Sequence, residues 1–124
     1  MPNLIEQKGV EILIEWLKEQ GRTIEKSDNK TFDLKVDGKY VEVKTKSKPY
    51  AKLDFLSFTD KQFREIKREK FSIFLICNVG NPSKAEIYEF CSELLKSIEP
   101  KKYTSHEYNK SILDSISISQ KRRR

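Results

Sequence analysis

The sequence predicts an α/β (α+β) domain in which helices flank a β-sheet, in the order α-β-β-α-β-β-α. Three stretches carry that prediction. Residues 4–20 space their apolar side chains as a helix does. Residues 31–45, TFDLKVDGKYVEVKT, alternate apolar and polar on both sides of Asp37-Gly38, and residues 71–79, FSIFLICNV, form a nearly continuous apolar run rich in strand formers. At 124 residues the chain is expected to fold as one domain over 1–119, with a basic tail at 120–124 whose charge suits disorder.

In the first helix Val10, Leu13, Ile14 and Leu17 fall at the i, i+3, i+4, i+7 spacing of a buried stripe, and Gly21 ends it. Glu11 lies about 100° from Val10, on the border of that stripe, where it can reach a site beside the sheet. Glu15 turns further toward solvent, and a solvated helix glutamate is the plainer reading of either. Residues 22–24 begin a short edge strand, and 26–30 form a polar loop with its turn at Asp28-Asn29.

Asp37-Gly38 is a strong two-residue hairpin signal. Pairing Val36 with Lys39 then sets Lys35 against Tyr40, Leu34 against Val41, and Asp33 against Glu42. Alternation puts Asp33, Glu42 and Lys44 on one face, with Phe32, Leu34, Val36, Val41 and Val43 on the other. Facing carboxylates repel and need compensation. A divalent cation between them supplies it, and so does neutralisation by Lys35 and Lys44 on a face open to solvent.

Lys46, Lys48 and Lys52, broken by Pro49 and Tyr50, read as an exposed basic loop suited to a phosphate backbone. Thr59 with Gln62 three residues later forms a capping-box pattern for a helix running to about Lys70. Phe63 and Ile66 face inward there, and Lys61, Arg64 and Arg68 form an outer basic stripe that suits either nucleic acid or water. Residues 71–79 are expected to be the sheet's central strand, buried on both faces. Residues 85–90 follow as an antiparallel strand, and a helix over 92–98 buries Leu94, Leu95 and Ile98 before Pro100. After a loop at 101–109 comes a short amphipathic element at 110–118.

Lys and Arg total 25 against 19 Asp and Glu, a net charge of +6 that favours an anionic partner. The longest apolar stretch, 73–77, is far below the roughly 20 residues of a membrane helix. Two cysteines and the absence of a leader-like segment suit a cytoplasmic protein with reduced thiols. The single histidine, His106, lies in a polar segment and reads as a surface residue.

The order of elements together with Asp33 and the tripeptide Glu42-Val43-Lys44, inside VEVKTKS, resembles the PD-(D/E)XK nuclease superfamily. The likeness covers most of residues 8–90. It implies a restriction endonuclease-like mixed sheet flanked by helices. Phe32 stands where the motif's proline would be. The resemblance also implies Asp33 and Glu42 as ligands of Mg²⁺, with Mn²⁺ as substitute, the carbonyl of Val43 completing the set, and Glu11 as the first-helix glutamate. Lys44 would orient or help deprotonate the attacking water.

The function so implied is a metal-dependent DNA endonuclease in repair, recombination or restriction, with RNA left open as substrate and a homodimer suggested by the small size. The alternatives are a noncatalytic nucleic-acid-binding module, or a subunit of a restriction or repair complex, on the same fold.

Overall fold

The computed structural model describes residues 4–29, 31–68, 70–96, 98, 106–116 and 119–122. It is a mixed α+β architecture with three helices. Helix α1 (Leu4–Glu19) leads into β1 (Ile24–Lys26) and then the hairpin of β2 (Leu34–Val36) and β3 (Lys39–Thr45). A short strand β4 (Phe55–Ser57), helix α2 (Asp60–Arg68), and strands β5 (Ser72–Cys77) and β6 (Glu86–Cys91) follow. The chain closes with β7 (Glu107–Asn109), α3 (Lys110–Ser115) and β8 (Ser119–Arg122).

Six strands form one mixed sheet in the order β1-β2-β3-β5-β6-β8, and β4 pairs with β7 in a separate two-stranded sheet. Among the described strands only β3 and β5 run parallel, and α2 lies between them in sequence because parallel neighbours need a crossover. The hairpin has the register expected from its turn: Val36 pairs with Lys39, Lys35 with Tyr40, and Leu34 with Val41. Asp37 and Gly38 supply the positive φ angles, 52° and 80°, that a tight two-residue turn demands. The Asp37 carboxylate also accepts the Thr23 N–H at 2.9 Å, tying the turn to the start of β1.

Strand β5 is the sheet's middle, as its unbroken apolar run predicts. Ile73, Leu75 and Cys77 pack on one face with Leu56, Phe58 and Ile66, while Phe74 and Ile76 pack on the other with Leu13 and Leu17 of α1. The sheet thus lies between α1 on one side and α2 with the small sheet on the other. Among the described residues no helix is long and apolar enough to cross a membrane. Both cysteines are free, and burial pushes the Cys77 thiol up to about 12.

Several expectations need correction. The segment expected as a helix over 92–98 is a 3-10 turn at Ser92–Leu95, where Ser92 Oγ accepts the Phe71 N–H at 2.8 Å and holds the chain against β5. Part of the expected loop, residues 107–109, is instead β7. The tail expected to be disordered forms β8 through Arg122, paired with β6 across Ile87 to Glu89; residues 123–124 lie outside those described. Phe32 does not share a face with Leu34, since it precedes the strand; it turns to the α2 side and stacks on Tyr40 at 5.0 Å. His106 is buried, stacked on Phe63 at 4.1 Å, with Nε2 at 2.7 Å from Asp60 Oδ1.

Helix α1 meets the sheet at a glycine. A Cβ at Gly9 would lie 2.0 Å from Thr45 Cγ2 and 3.0 Å from Thr45 Cβ, so the helix backbone rests almost directly on the end of β3. Alanine is the better helix former by about 1 kcal/mol. Gly9→Ala is nevertheless expected to lower stability in urea by about 1–3 kcal/mol through overpacking, and Thr45→Ala in the same chain to recover part of the loss. A Gly9→Ala protein as stable as its parent would show that this contact is not tight.

Candidate active site

Strand β2 begins only at Leu34, opposite Val41, whereas its antiparallel partner β3 runs on to Thr45. The step leaves one edge of β3 without a strand neighbour over its last residues, and Asp33 sits there. Its Oδ2 accepts the Val43 N–H at 2.9 Å, so the carboxylate caps the edge where a strand would have continued. Beside it opens a cleft of about 350 Å³, lined among others by Glu6, Asp33, Glu42, Val43, Lys44 and Gln62.

Glu42 is 3% exposed. Gln62 Nε2 donates to its Oε2, and Lys44 Nζ stands 3.3 Å from the same oxygen. Its Oε1 is buried and has no hydrogen-bond partner among the described residues. Burial pushes the Glu42 carboxyl up to about 8, Lys44 opposes the shift, and the charge of Asp33 adds to it. This is the response of an acid that lacks enough positive charge nearby.

Lys44 is held on three sides. It donates to Gln62 Oε1 at 2.9 Å, lies against Glu42, and projects over the Phe58 ring at 4.6 Å. Gln62 therefore bridges the acid and the base. It does so from the first turn of α2, where the capping box forms as its sequence predicts: Gln62 N–H donates to Thr59 Oγ1 at 3.2 Å, and Thr59 N–H to Gln62 Oε1 at 3.0 Å. The sequence signal for Gln62 was a cap; its contact with Glu42 follows only from the way α2 packs against β3. Lys35, expected to share in neutralising the carboxylates, lies instead over the Tyr40 ring at 5.3 Å.

On the first helix it is Glu6 that lines this cleft, while the expected Glu11 stands beside it. Glu11 is 72% exposed, pairs with Lys8 at 4.0 Å, and does not line this cleft; it borders a neighbouring hollow with Glu6, Val10 and Asp33. Glu6 and Val10, one turn apart, line the cleft itself. The buried line of α1 runs through Gly9, Ile12, Leu13 and Leu17, and Val10 and Ile14 are only partly covered. A stripe drawn from apolar side chains misses Gly9, which carries none.

Of the basic residues, Lys46 lines the cleft, and Lys48 and Lys52 follow it on the loop. Lys61, Arg64 and Arg68 are exposed on α2 and do not line it; Arg68 pairs with Glu65 at 3.5 Å. Among the described residues no three His, Cys, Asp or Glu side chains converge into a ready-made ligand set.

The pH dependence of stability follows from Glu42. Below the ordinary value of 4.5 the carboxyl is protonated in both folded and unfolded chains. As pH rises the unfolded chain ionises first, so stability falls, by roughly 1 kcal/mol per pH unit, until the folded group ionises as well near 8. Glu42→Gln is expected to melt with the parent at pH 4 and above it at pH 8 in chelator-treated protein. Parallel melting curves at both pH values would contradict this.

Neither the curated proteins nor the solved structures contain a match to this chain. A family model described as Protein NO VEIN, C-terminal, matches residues 5–89, a span that runs from α1 into β6 and takes in Glu6, Asp33, Glu42, Lys44 and Gln62. By that match over more than half its length, the chain belongs to the Protein NO VEIN, C-terminal family.

Proposed function

We propose that this chain is a metal-dependent nuclease of the PD-(D/E)XK type that hydrolyses phosphodiester bonds in DNA. The observation that carries the proposal is the buried Glu42 carboxyl with Oε1 unpartnered, set beside Asp33 and Lys44 at the open end of β3. A buried carboxylate oxygen without a partner is costly unless something positive meets it. A divalent cation fits that need. Asp33 and Glu42 would hold it, with the Val43 carbonyl nearby and Glu6 in place of Glu11 on the helix side.

With so few protein ligands, water and substrate oxygens would fill the remaining positions, which suits Mg²⁺ because it keeps its waters. Bound there, the cation supplies Lewis-acid polarisation of the phosphate and a lower pKa for water. The chain's own residues do the rest. Lys44 orients the attacking water and offsets the charge that develops on the phosphate as the new P–O bond forms and the ester P–O bond breaks. Gln62 is a positioning residue that fixes Lys44 and Glu42 with one amide. Lys46, at the rim, favours an anionic substrate.

Supercoiled plasmid offered with Mg²⁺ or Mn²⁺ is expected to be nicked. Asp33→Ala and Lys44→Ala should lose activity by about a hundredfold or more while remaining folded. Glu6→Ala should lose more than Glu11→Ala, which is expected to act like the parent. Mn²⁺ should raise the melting temperature of the parent but not of Asp33→Ala. Nicking that is unaffected by both alanine variants at the hairpin would refute the proposal.

A further inference from the structure

We infer that the loop after β3 carries a separate phosphate subsite, formed by Lys46, Lys48 and Lys52, with Asp54 standing in for the phosphate until substrate displaces it. That the phosphate belongs to the strand being cut rests on the nuclease proposal; the subsite itself rests on geometry.

A second cleft of about 260 Å³ is lined by Lys46, Ser47, Lys48, Lys52, Leu53 and Asp54. Lys46 lines this cleft and the active cleft alike, so the two adjoin. Three lysines and one aspartate are among its lining residues. Lys46 Nζ lies 3.2 Å from Asp54 Oδ1 and also over the Phe55 ring at 4.5 Å. Asp54 is 69% exposed, and the Phe55 N–H, with Lys46, keeps its carboxyl below the usual range. A carboxylate and a phosphate oxygen are equivalent acceptors for an ammonium group. Asp54, on the solvent side, is the one that can yield.

The loop is built, which distinguishes it from scattered surface lysines. The carbonyls of Lys46, Ser47 and Lys48 accept N–H groups of Val79, Gly80 and Asn78 at 3.2, 3.0 and 2.8 Å. Tyr50 N–H donates to Glu86 Oε1 at 3.0 Å, and Tyr50 O–H to Asp114 Oδ1 at 2.7 Å. The lysine backbone is therefore fixed to the β5–β6 turn and to α3 before any ligand arrives, which lowers the entropic cost of binding.

The test is binding of a fluorescein-labelled single-stranded DNA oligonucleotide in EDTA, where nothing is cut. Lys48→Ala/Lys52→Ala is expected to bind about three- to tenfold more weakly at low salt, and to lower the slope of log affinity against log salt by about 0.7 per lost contact. Asp54→Asn, which keeps the acceptor for Phe55 N–H, is expected to bind about threefold more tightly. Inorganic phosphate should shift the amide resonances of Ser47 and Lys48 in the parent and not in the double variant. Lysine variants that bind as the parent does, or an Asp54→Asn protein that binds no tighter, would overturn the inference. Plasmid nicking separates the two readings: lysine-dependent binding with no cleavage by the parent keeps the subsite and removes the nuclease, whereas cleavage with lysine-independent binding does the reverse.

Discussion

The arrangement at the end of β3 depends on one uncomfortable fact, a carboxylate buried without its full share of partners. Glu42 is enclosed because β5 pairs with β3 on one side, Asp33 caps the other edge, and Gln62 of α2 reaches over its carboxyl. The fold gives it one amide and one ammonium on Oε2, sets the Asp33 carboxyl beside it, and leaves Oε1 with no donor among the described residues. Desolvation then works against the charged form. A stable fold with no other task would place a leucine or valine there, as it does on the opposite face at Val41 and Val43. Local costs of this kind collect where a protein must bind something, because what makes the apo state uncomfortable is what the ligand relieves.

Two tight contacts position everything else around that carboxylate. Gly9 lets α1 settle on Thr45, which brings Glu6 and Val10 to the rim from the far side of the sheet. Gln62 reaches from the near side, its amide meeting Glu42, Lys44 and the Thr59 N–H at once while its backbone N–H completes the capping box. The first turn of α2 is braced in turn by His106, which pairs with Asp60 and stacks on Phe63. His106 holds this place with a positive φ of 47°. A line of contacts thus connects β7 to the cleft through α2.

What was legible in the sequence was what local rules decide. The Asp-Gly turn dictated the hairpin register residue by residue, the Thr59–Gln62 pattern dictated the cap, and the apolar run at 71–79 dictated the central strand. Features set by long-range packing were not legible. The rotation of α1 hinged on a glycine that apolar counting ignores, so Glu11 rather than Glu6 was expected to border the cleft. Strands β4 and β7 are three residues each, and each is a strand only because the other pairs with it across fifty residues of chain. The tail carries lysine and arginine that read as disorder, yet its backbone pairs with the outer edge of β6, a partner that local composition does not reveal. His106 sits among polar neighbours in sequence and against Phe63 in space.

The two clefts are opposite in need and joined by Lys46. At Glu42 burial and the charge of Asp33 disfavour ionisation more than Lys44 favours it, while in the second cleft three lysines stand against Asp54. Each is partly satisfied from within, Glu42 by Lys44 and Lys46 by Asp54. A cation alone would relieve the first and leave the second as it was; an anion alone would do the converse and add repulsion with Asp33 and Glu42. On the proposed reading, a phosphate chain carrying a divalent cation would meet both at once. On the proposed reading, cation and nucleic acid therefore each favour the other's binding, because the charge that one brings is the charge that the other's cleft lacks.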